Sequence, residues 1–349
     1  MAKKLYKKQH FIPQCYTKAW IDKSVPAGPK IAPFVWVFDQ DGTNARGKSP
    51  ANLFTETDIY TVTKADGHRD LYLEHRFGEL EDRFTRIRNL RFSKNQWPTA
   101  EELVFLFAFV ATLQARTQAN RDHQRQQWGN IRQRMEQMQK SYEEASPSQK
   151  AAFEGLGSIG FDQGSSISLE DVKVMEKFPI QTMMGTIVKS VLPIFQRMSC
   201  AVLQTEDQIG FITSDHPCTW FDSESYKLQP IFRGPGLCSP TVEVTLPISP
   251  KQCLILSHRP GFNGFIDIPQ NIVDEVNIRH VAHCKDSFIS HSQQTRPIWF
   301  EKRELPEDAW EKVRERKIES GEWRATTTGQ TTQPPQTGSL TPPAKPPSA

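Results

Sequence analysis

Apolar positions change their period near residue 200, and that change predicts the architecture. Leu73, Phe77, Leu80, Phe84 and Ile87 recur at alternating steps of four and three, the stripe of an amphipathic helix. Pro98 then precedes Thr99, with Glu102 three residues on, a capping box that predicts a helix start. Residues 103–113, LVFLFAFVATL, are apolar on every side, so this helix is expected to be the buried central one. The chain continues polar through QARTQANRDHQRQQWGNIRQRMEQMQK, keeping a stripe at Trp128, Ile131, Met135 and Met138, with Gly129–Asn130 a candidate interruption. Residues 141–168 read as a shorter helix and a Gly/Ser loop. Residues 178–199 read as an apolar helix through Ile180, Met183, Ile187, Val191 and Ile194, with Pro193 a candidate kink.

Flanking this helical stretch, the pattern is that of strands. In 31–66, FVWVFD and DIYTVT are β-type runs separated by the turn material QDGTNARG. After 200, CAVLQTE, IGFITSD, VEVTLPIS and CLILSH are short β-type runs, NIVDEVNIRHVAHC is helical, and SFISHS reads as a closing strand. Helices gathered in the first half and strands in the second predict an α+β fold. It has a helical N-terminal half with a buried central helix, and an antiparallel or mixed sheet in the C-terminal half. Residues 1–324 form one such domain: 31–66 strand and turn, 69–199 mainly helical, 200–291 mainly strands plus one helix. Residues 325–349, rich in Pro and Thr, bury too little to offset ordering entropy and are expected to be a disordered tail.

Composition narrows the function classes. Twenty-one Phe and eight Trp supply an aromatic core, which excludes a wholly disordered chain. No apolar run approaches the ~20 residues of a membrane span, so no membrane partner is expected. The basic start MAKKLYKKQHFIPQ has no apolar h-region behind it, and the expected location is cytoplasmic. A net charge of +3 is by itself too small to argue for nucleic acid. Six cysteines without a CxxC pair predict free thiols rather than a disulfide framework. No P-loop, GxGxxG, HExxH or GxSxG motif occurs.

The candidate chemistry lies in six polar residues. Glu74 and Glu81 are seven apart, hence on one helical face about 10.5 Å apart along the axis, with Gly78 between them. They suit acid–base work or a divalent cation, and equally suit pairing with Arg76, Arg83 or Arg116. Arg116, just after the apolar run, requires a partner: a carboxylate, or an anion clamped by its guanidinium. Asp215, in SDHP at a strand end, is placed either as a catalytic carboxylate or as a turn former, and His216 reads more readily as turn. His10 and Gln14 flank an apolar anchor, pointing into a site or plugging the N-terminus. The helical spacing of His280, His283 and Cys284, with His291 beyond, reads as a helix end rather than a metal site.

Several of these residues fall in ordered blocks that resemble one microbial family, domain of unknown function 4238. The blocks are His10-Phe11-Ile12-Pro13-Gln14 with Tyr16, FVWVFD with SPANLF and Asp58-Ile59-Tyr60, and the glutamates of LEHRFGELE. Arg116-Thr117 with Arg121, Phe211 through Pro217, Leu246 through Pro250, and Asn277 complete the set. Cys15, Thr17 and Gln118 depart from the pattern. The resemblance implies no established activity. Arg116 and His123 also show a spacing similar to that of helical endoribonucleases of the HEPN superfamily, on a tract that reads as a solvated face.

Two expectations follow. In one, His10, Gln14, Glu74, Glu81, Arg116 and Asp215 converge as the centre of a metal-assisted phosphoesterase or nuclease. There Glu74, Glu81 and Asp215 hold a divalent cation such as Mg²⁺ or Mn²⁺, and nucleic acid is a candidate substrate. In the other, the same residues form a structural polar network in a non-catalytic protein that binds a ligand or partner.

Overall fold

The computed structural model describes residues 7–25, 28, 32–63, 66–157, 167–229, 233–234, 236–301, 312, 315–316 and 319–320. The described residues of 1–225 and 234–303 form one unit, and those of 226–233 and 304–349 form another. In the latter, Arg233 Nε donates to the Leu228 carbonyl at 3.2 Å. The Pro/Thr-rich segment 325–349 and the Gly/Ser loop at 158–166 lie outside the described residues.

The fold is α+β, with helices gathered in the N-terminal half. In chain order the first elements are β1 (Lys8–His10), α1 (Gln14–Thr17), β2 (Val35–Asp39), β3 (Arg46–Lys48), β4 (Thr55–Thr57), β5 (Val62–Thr63) and β6 (Arg69–Asp70). The helical stretch is α2 (Tyr72–Leu90), α3 (Ala100–Ala115), α4 (Gln118–Glu144), α5 (Pro147–Gly157), α6 (Leu169–Lys177) and α7 (Pro179–Phe195). Then come β7 (Ser199–Gln204), β8 (Thr213–Ser214), β9 (Thr219–Asp222), β10 (Val242–Ser249), β11 (Gln252–Ser257), β12 (Asn263–Asp267), α8 (Gln270–His283) and β13 (Ser287–Ser290). Among the described residues no single helix is long and apolar enough to cross a membrane.

Central helix α3 starts where its capping box predicts. Thr99 Oγ1 accepts the Glu102 amide, and the Glu102 carboxylate accepts the Thr99 amide at 2.8 Å. Thr99→Ala is expected to cost about 1 kcal/mol, read as a lower urea midpoint at unchanged m value; no change in midpoint would mean that Glu102 alone holds the end. The apolar run is buried from Leu106 onward except at half-buried Ala108, while Val104 in the first turn is 37% exposed. The polar continuation is a separate helix. Thr117 caps α4 through the Asn120 amide, breaking the chain at Arg116, and α4 then runs through Gly129 without interruption. Gly129 instead admits α6, since a Cβ there would lie 3.0 Å from Glu176 Oε1.

The main sheet has the order β12-β7-β11-β10-β9, antiparallel except for the parallel β12–β7 pair. Its central strands are apolar on both faces because both faces are covered. Val202, Leu254 and Leu256 pack with α2, α3 and α7, whereas Leu203, Cys253 and Ile255 pack with Val273 and Val276 of α8. A second sheet, β3-β2-β13-β8, pairs the early strand β2 with the late strand β13 and so joins the two ends of this unit. Gly210 holds the close crossing between the strands: at φ +65 its Cβ would sit 2.0 Å from the Pro250 carbonyl oxygen. Asn277 Nδ2 donates to the Gly210 carbonyl and Asn277 Oδ1 accepts the Ile212 amide. All six cysteines are free; four are buried, Cys15 is half-buried and Cys238 is exposed.

Candidate functional site

The N-terminal block is held by its apolar residues. Ile12, Tyr16 and Trp20 are fully buried. Tyr16 Oη donates to the Pro247 carbonyl at 2.6 Å, and Trp20 Nε1 to the Phe211 carbonyl at 2.8 Å. Just before them, β1 pairs with β4 so that His10 faces Thr55. Buried Gln9 accepts the Tyr60 amide and donates to Thr61 Oγ1, and Tyr60 Oη donates to the His10 carbonyl at 3.1 Å. The backbone at His10 is therefore fixed. Its ring is half-buried, and Nε2 is buried without a hydrogen-bond partner among the described residues. Burial lowers its pKa, opposed by backbone hydrogen bonding at Pro50 and Ala51 and by the Glu81 charge. The imidazole is thus neutral near pH 7.

Helix α2 brings its two glutamates to the same region. Phe77, Phe84 and Ile87 turn into the core, which leaves Glu74, Gly78 and Glu81 along the rim. Glu81 Oε1 accepts Arg116 Nη1 at 2.9 Å. Arg116, the C-cap of α3, is 1% exposed, lies over the Phe77 ring at 4.9 Å, and has a buried, unpartnered Nε. Cys15 Sγ lies 4.0 Å from Glu81 Oε2, and burial followed by the Glu81 charge raises its pKa. Glu74 is half-buried and makes no hydrogen bond or ion pair among the described residues. Burial first, then Glu81, raise its pKa, with Arg116 opposing. A Cβ at Gly78 would meet nothing within 4 Å, so the space between the carboxylates is open. Tyr60 shares the same neighbourhood: burial raises its pKa, and Arg116, Glu81 and Glu74 act on it next. Gln14, half-buried, opens α1 one residue before Cys15.

Asp215 is occupied elsewhere. Its carboxylate accepts the amides of Lys285, Asp286 and Ser287 at 2.8, 2.6 and 3.0 Å, closing the turn between α8 and β13. No contact among the described residues joins it to Glu74, Glu81 or Arg116. His216 Nε2 bonds Gln114 Oε1 at 2.9 Å, and its ring meets His283 edge-on at 6.4 Å. Arg121 pairs with Glu56, and His123 is exposed on α4. Among the described residues no three His, Cys, Asp or Glu side chains are arranged to hold a metal. Of the six candidates, Glu81 is therefore the hub: Arg116 pairs with it, and its charge acts on Glu74 and His10, while Gln14 sits next to Cys15 in the chain. Cys15, Gln9 and Tyr60 join them without a motif of their own, though Tyr60 sits in one of the blocks that carry the family resemblance.

Comparison with curated proteins and with solved structures finds no match. A family profile described as a protein of unknown function, DUF4238, matches residues 8–295, which include both glutamates, Arg116 and the His10 block. The chain therefore belongs to the DUF4238 family.

Proposed function

We propose that the chain is a metal-assisted phosphoesterase or nuclease centred on Glu74, Glu81 and His10. The observation that carries this reading is that, among the described residues, His10 Nε2 is buried without a hydrogen-bond partner and half-buried Glu74 makes no hydrogen bond or ion pair, beside the Glu81–Arg116 pair. Buried polar atoms are ordinarily bonded, and the exceptions call for a role. The imidazole of His10, kept neutral by burial, is suited to accept a proton, and the carboxylates of Glu74 and Glu81 are left to a cation. Arg116 is sealed from solvent, so it acts as a positioning residue that orients Glu81 rather than as an anion clamp. A divalent cation would be held by Glu74 and by Glu81 Oε2, the oxygen turned away from Arg116 and towards Cys15, the two-carboxylate arrangement that Mg²⁺ completes with waters and substrate phosphates. It would supply charge neutralisation at the phosphoryl oxygens.

The test is turnover of bis-p-nitrophenyl phosphate, and of labelled single-stranded RNA and DNA, with Mg²⁺ or Mn²⁺. Metal-dependent turnover is expected, and Glu74→Gln should reduce it about a hundredfold at an unchanged melting temperature. Absence of turnover on all three substrates, or full activity in Glu74→Gln, would overturn the reading. The second reading, a non-catalytic binding protein, draws support from Asp215, whose carboxylate is taken up by three backbone amides, and from Arg116, which is paired with Glu81 in the interior.

A further inference from the structure

A hollow of about 500 Å³ opens where the C-terminal half of α2 and the turn after α1 meet the ends of β7, β11 and β12. Four cations line it: Lys18, Lys23, Arg88 and Lys251. None of them makes an ion pair with a carboxylate among the described residues. Glu206 and Asp267 also line the hollow, are exposed, and pair with none of the four. The lining therefore carries an excess of two positive charges.

Arg88 is the informative member. It is half-buried, and burial lowers its pKa. Its Nη1 donates to the Cys15 carbonyl at 3.0 Å and the Tyr16 carbonyl at 3.4 Å, and the guanidinium lies 5.5 Å from the Phe84 ring centroid. Neutral carbonyls thus fix the fork, while Nη2 has no hydrogen bond among the described residues. A partly desolvated guanidinium normally has an anionic partner. Here the side chain is already held in place and its counter-charge is lacking. Lys251 is held in the same manner, with Nζ donating to the Asp207 carbonyl at 2.7 Å. One half-buried arginine and three exposed lysines, one of them tethered to a carbonyl, around one hollow are the arrangement that takes a phosphate dianion, because guanidinium and ammonium groups are the usual partners of phosphate oxygens.

We propose that this hollow binds a phosphomonoester of nucleotide size. Its volume lies in the range of small-molecule sites, well above what one inorganic phosphate fills. The excess of two charges matches a monoester dianion near neutral pH. Away from the cations, Asn95 is held by Gln204 at 2.6 Å, a fixed amide pair for hydroxyl or ring groups of the same ligand. The site is separate from the glutamate rim. Glu81 and Arg88 lie on one face of α2, but α1 crosses between them, reaching the first with Cys15 Sγ and the second with the Cys15 carbonyl.

The experiment is calorimetry and thermal shift on the full chain with AMP, inorganic phosphate and adenosine. AMP is expected to bind and raise the melting temperature, more weakly as salt rises, and phosphate to compete with it. Adenosine should not bind. The surface double variant Lys18→Gln/Lys251→Gln should keep the ligand-free melting temperature and weaken AMP about tenfold. Phosphate binding as tightly as AMP would overturn the nucleotide-sized ligand. Adenosine binding as tightly as AMP, AMP failing to bind at millimolar concentration, or AMP binding unchanged in the double variant would overturn the site itself. Glu74→Gln should retain AMP binding, so failure here and failure of the hydrolytic reading are separable.

Discussion

Arg116→Ala is expected to destabilise the protein by about 3–5 kcal/mol, the cost of removing one partner from a buried ion pair. Three losses combine. The guanidinium is 1% exposed and stacks on Phe77, so truncation leaves a void beside a core ring. Glu81, whose side chain is 25% exposed, loses its cation. Glu74, already raised by burial and by Glu81, loses the larger of the two charges that oppose those effects, leaving His75. Arg116→Met separates the causes. It keeps the aliphatic bulk over Phe77, and Glu81 retains some water, so it should cost clearly less than alanine. Glu81→Gln should be costly as well, because it leaves an always-charged guanidinium buried with only an amide to accept. Combining Glu81→Gln with Arg116→Met should recover stability relative to Glu81→Gln alone. Urea denaturation of the four variants tests this. An Arg116→Ala loss within about 1 kcal/mol of wild type would mean that the pair is solvated and that Arg116 does not position Glu81.

How much of this was legible in the sequence depends on the reach of each interaction. The capping box of α3 is contained in four residues, and it is found where Thr99 and Glu102 predict it. The stripe of α2 is equally local, and with it the shared face of Glu74 and Glu81. The break at Arg116 is harder to read. Thr117 caps α4 inside a run without Gly or Pro, whereas Gly129, which looks like the punctuation, serves the approach of α6. β9 and β12 are short and their neighbours in the sheet distant, so no alternation marks them. The site follows the same rule. That Arg116 needs a carboxylate follows from its place after an apolar run, but His10 reaches the glutamates only through the β1–β4 register, a pairing across more than forty residues. Asp215 illustrates the converse: a turn-forming carboxylate is readable, yet the amides it accepts lie seventy residues on. The cationic hollow draws on segments scattered from Lys18 to Lys251, which is why no motif announces it.

Stability is expected to fall as pH drops below about 6.5, and His216 and His280 set the direction. His280 is fully buried and its pKa lies well below the ordinary value, through burial first and then the charges of His283, His216 and Arg279. Burial, followed by His283, brings His216 down to about 4. The groups facing them are His283, whose ring meets His216 edge-on, Arg279, which pairs with Glu243 at 2.6 Å, and Gln114 and Thr245 as neutral partners. No carboxylate bonds either ring directly, so a proton gained there is not compensated. Above pH 6.5 both folded and unfolded chains hold these imidazoles neutral, and the contribution to stability is complete. Below it the unfolded chain takes up protons that the folded chain refuses, and each pH unit costs about 1.4 kcal/mol per histidine. For His216 alone the loss reaches about 3 kcal/mol as pH approaches 4, and His280 adds in the same direction. Glu74 and Asp215 act oppositely, since their raised pKa values favour the folded state on acidification, but carboxylates exert this mainly at lower pH. Between roughly pH 7.5 and 5.5 the histidines therefore dominate. Urea midpoints across that interval should decline, and His216→Asn should shallow the decline by about one proton whatever it does to stability at neutral pH. A midpoint that stays flat to pH 5.5, or an unchanged slope in His216→Asn, would mean that water or a counter-charge reaches the rings and that this packed corner is open to protons.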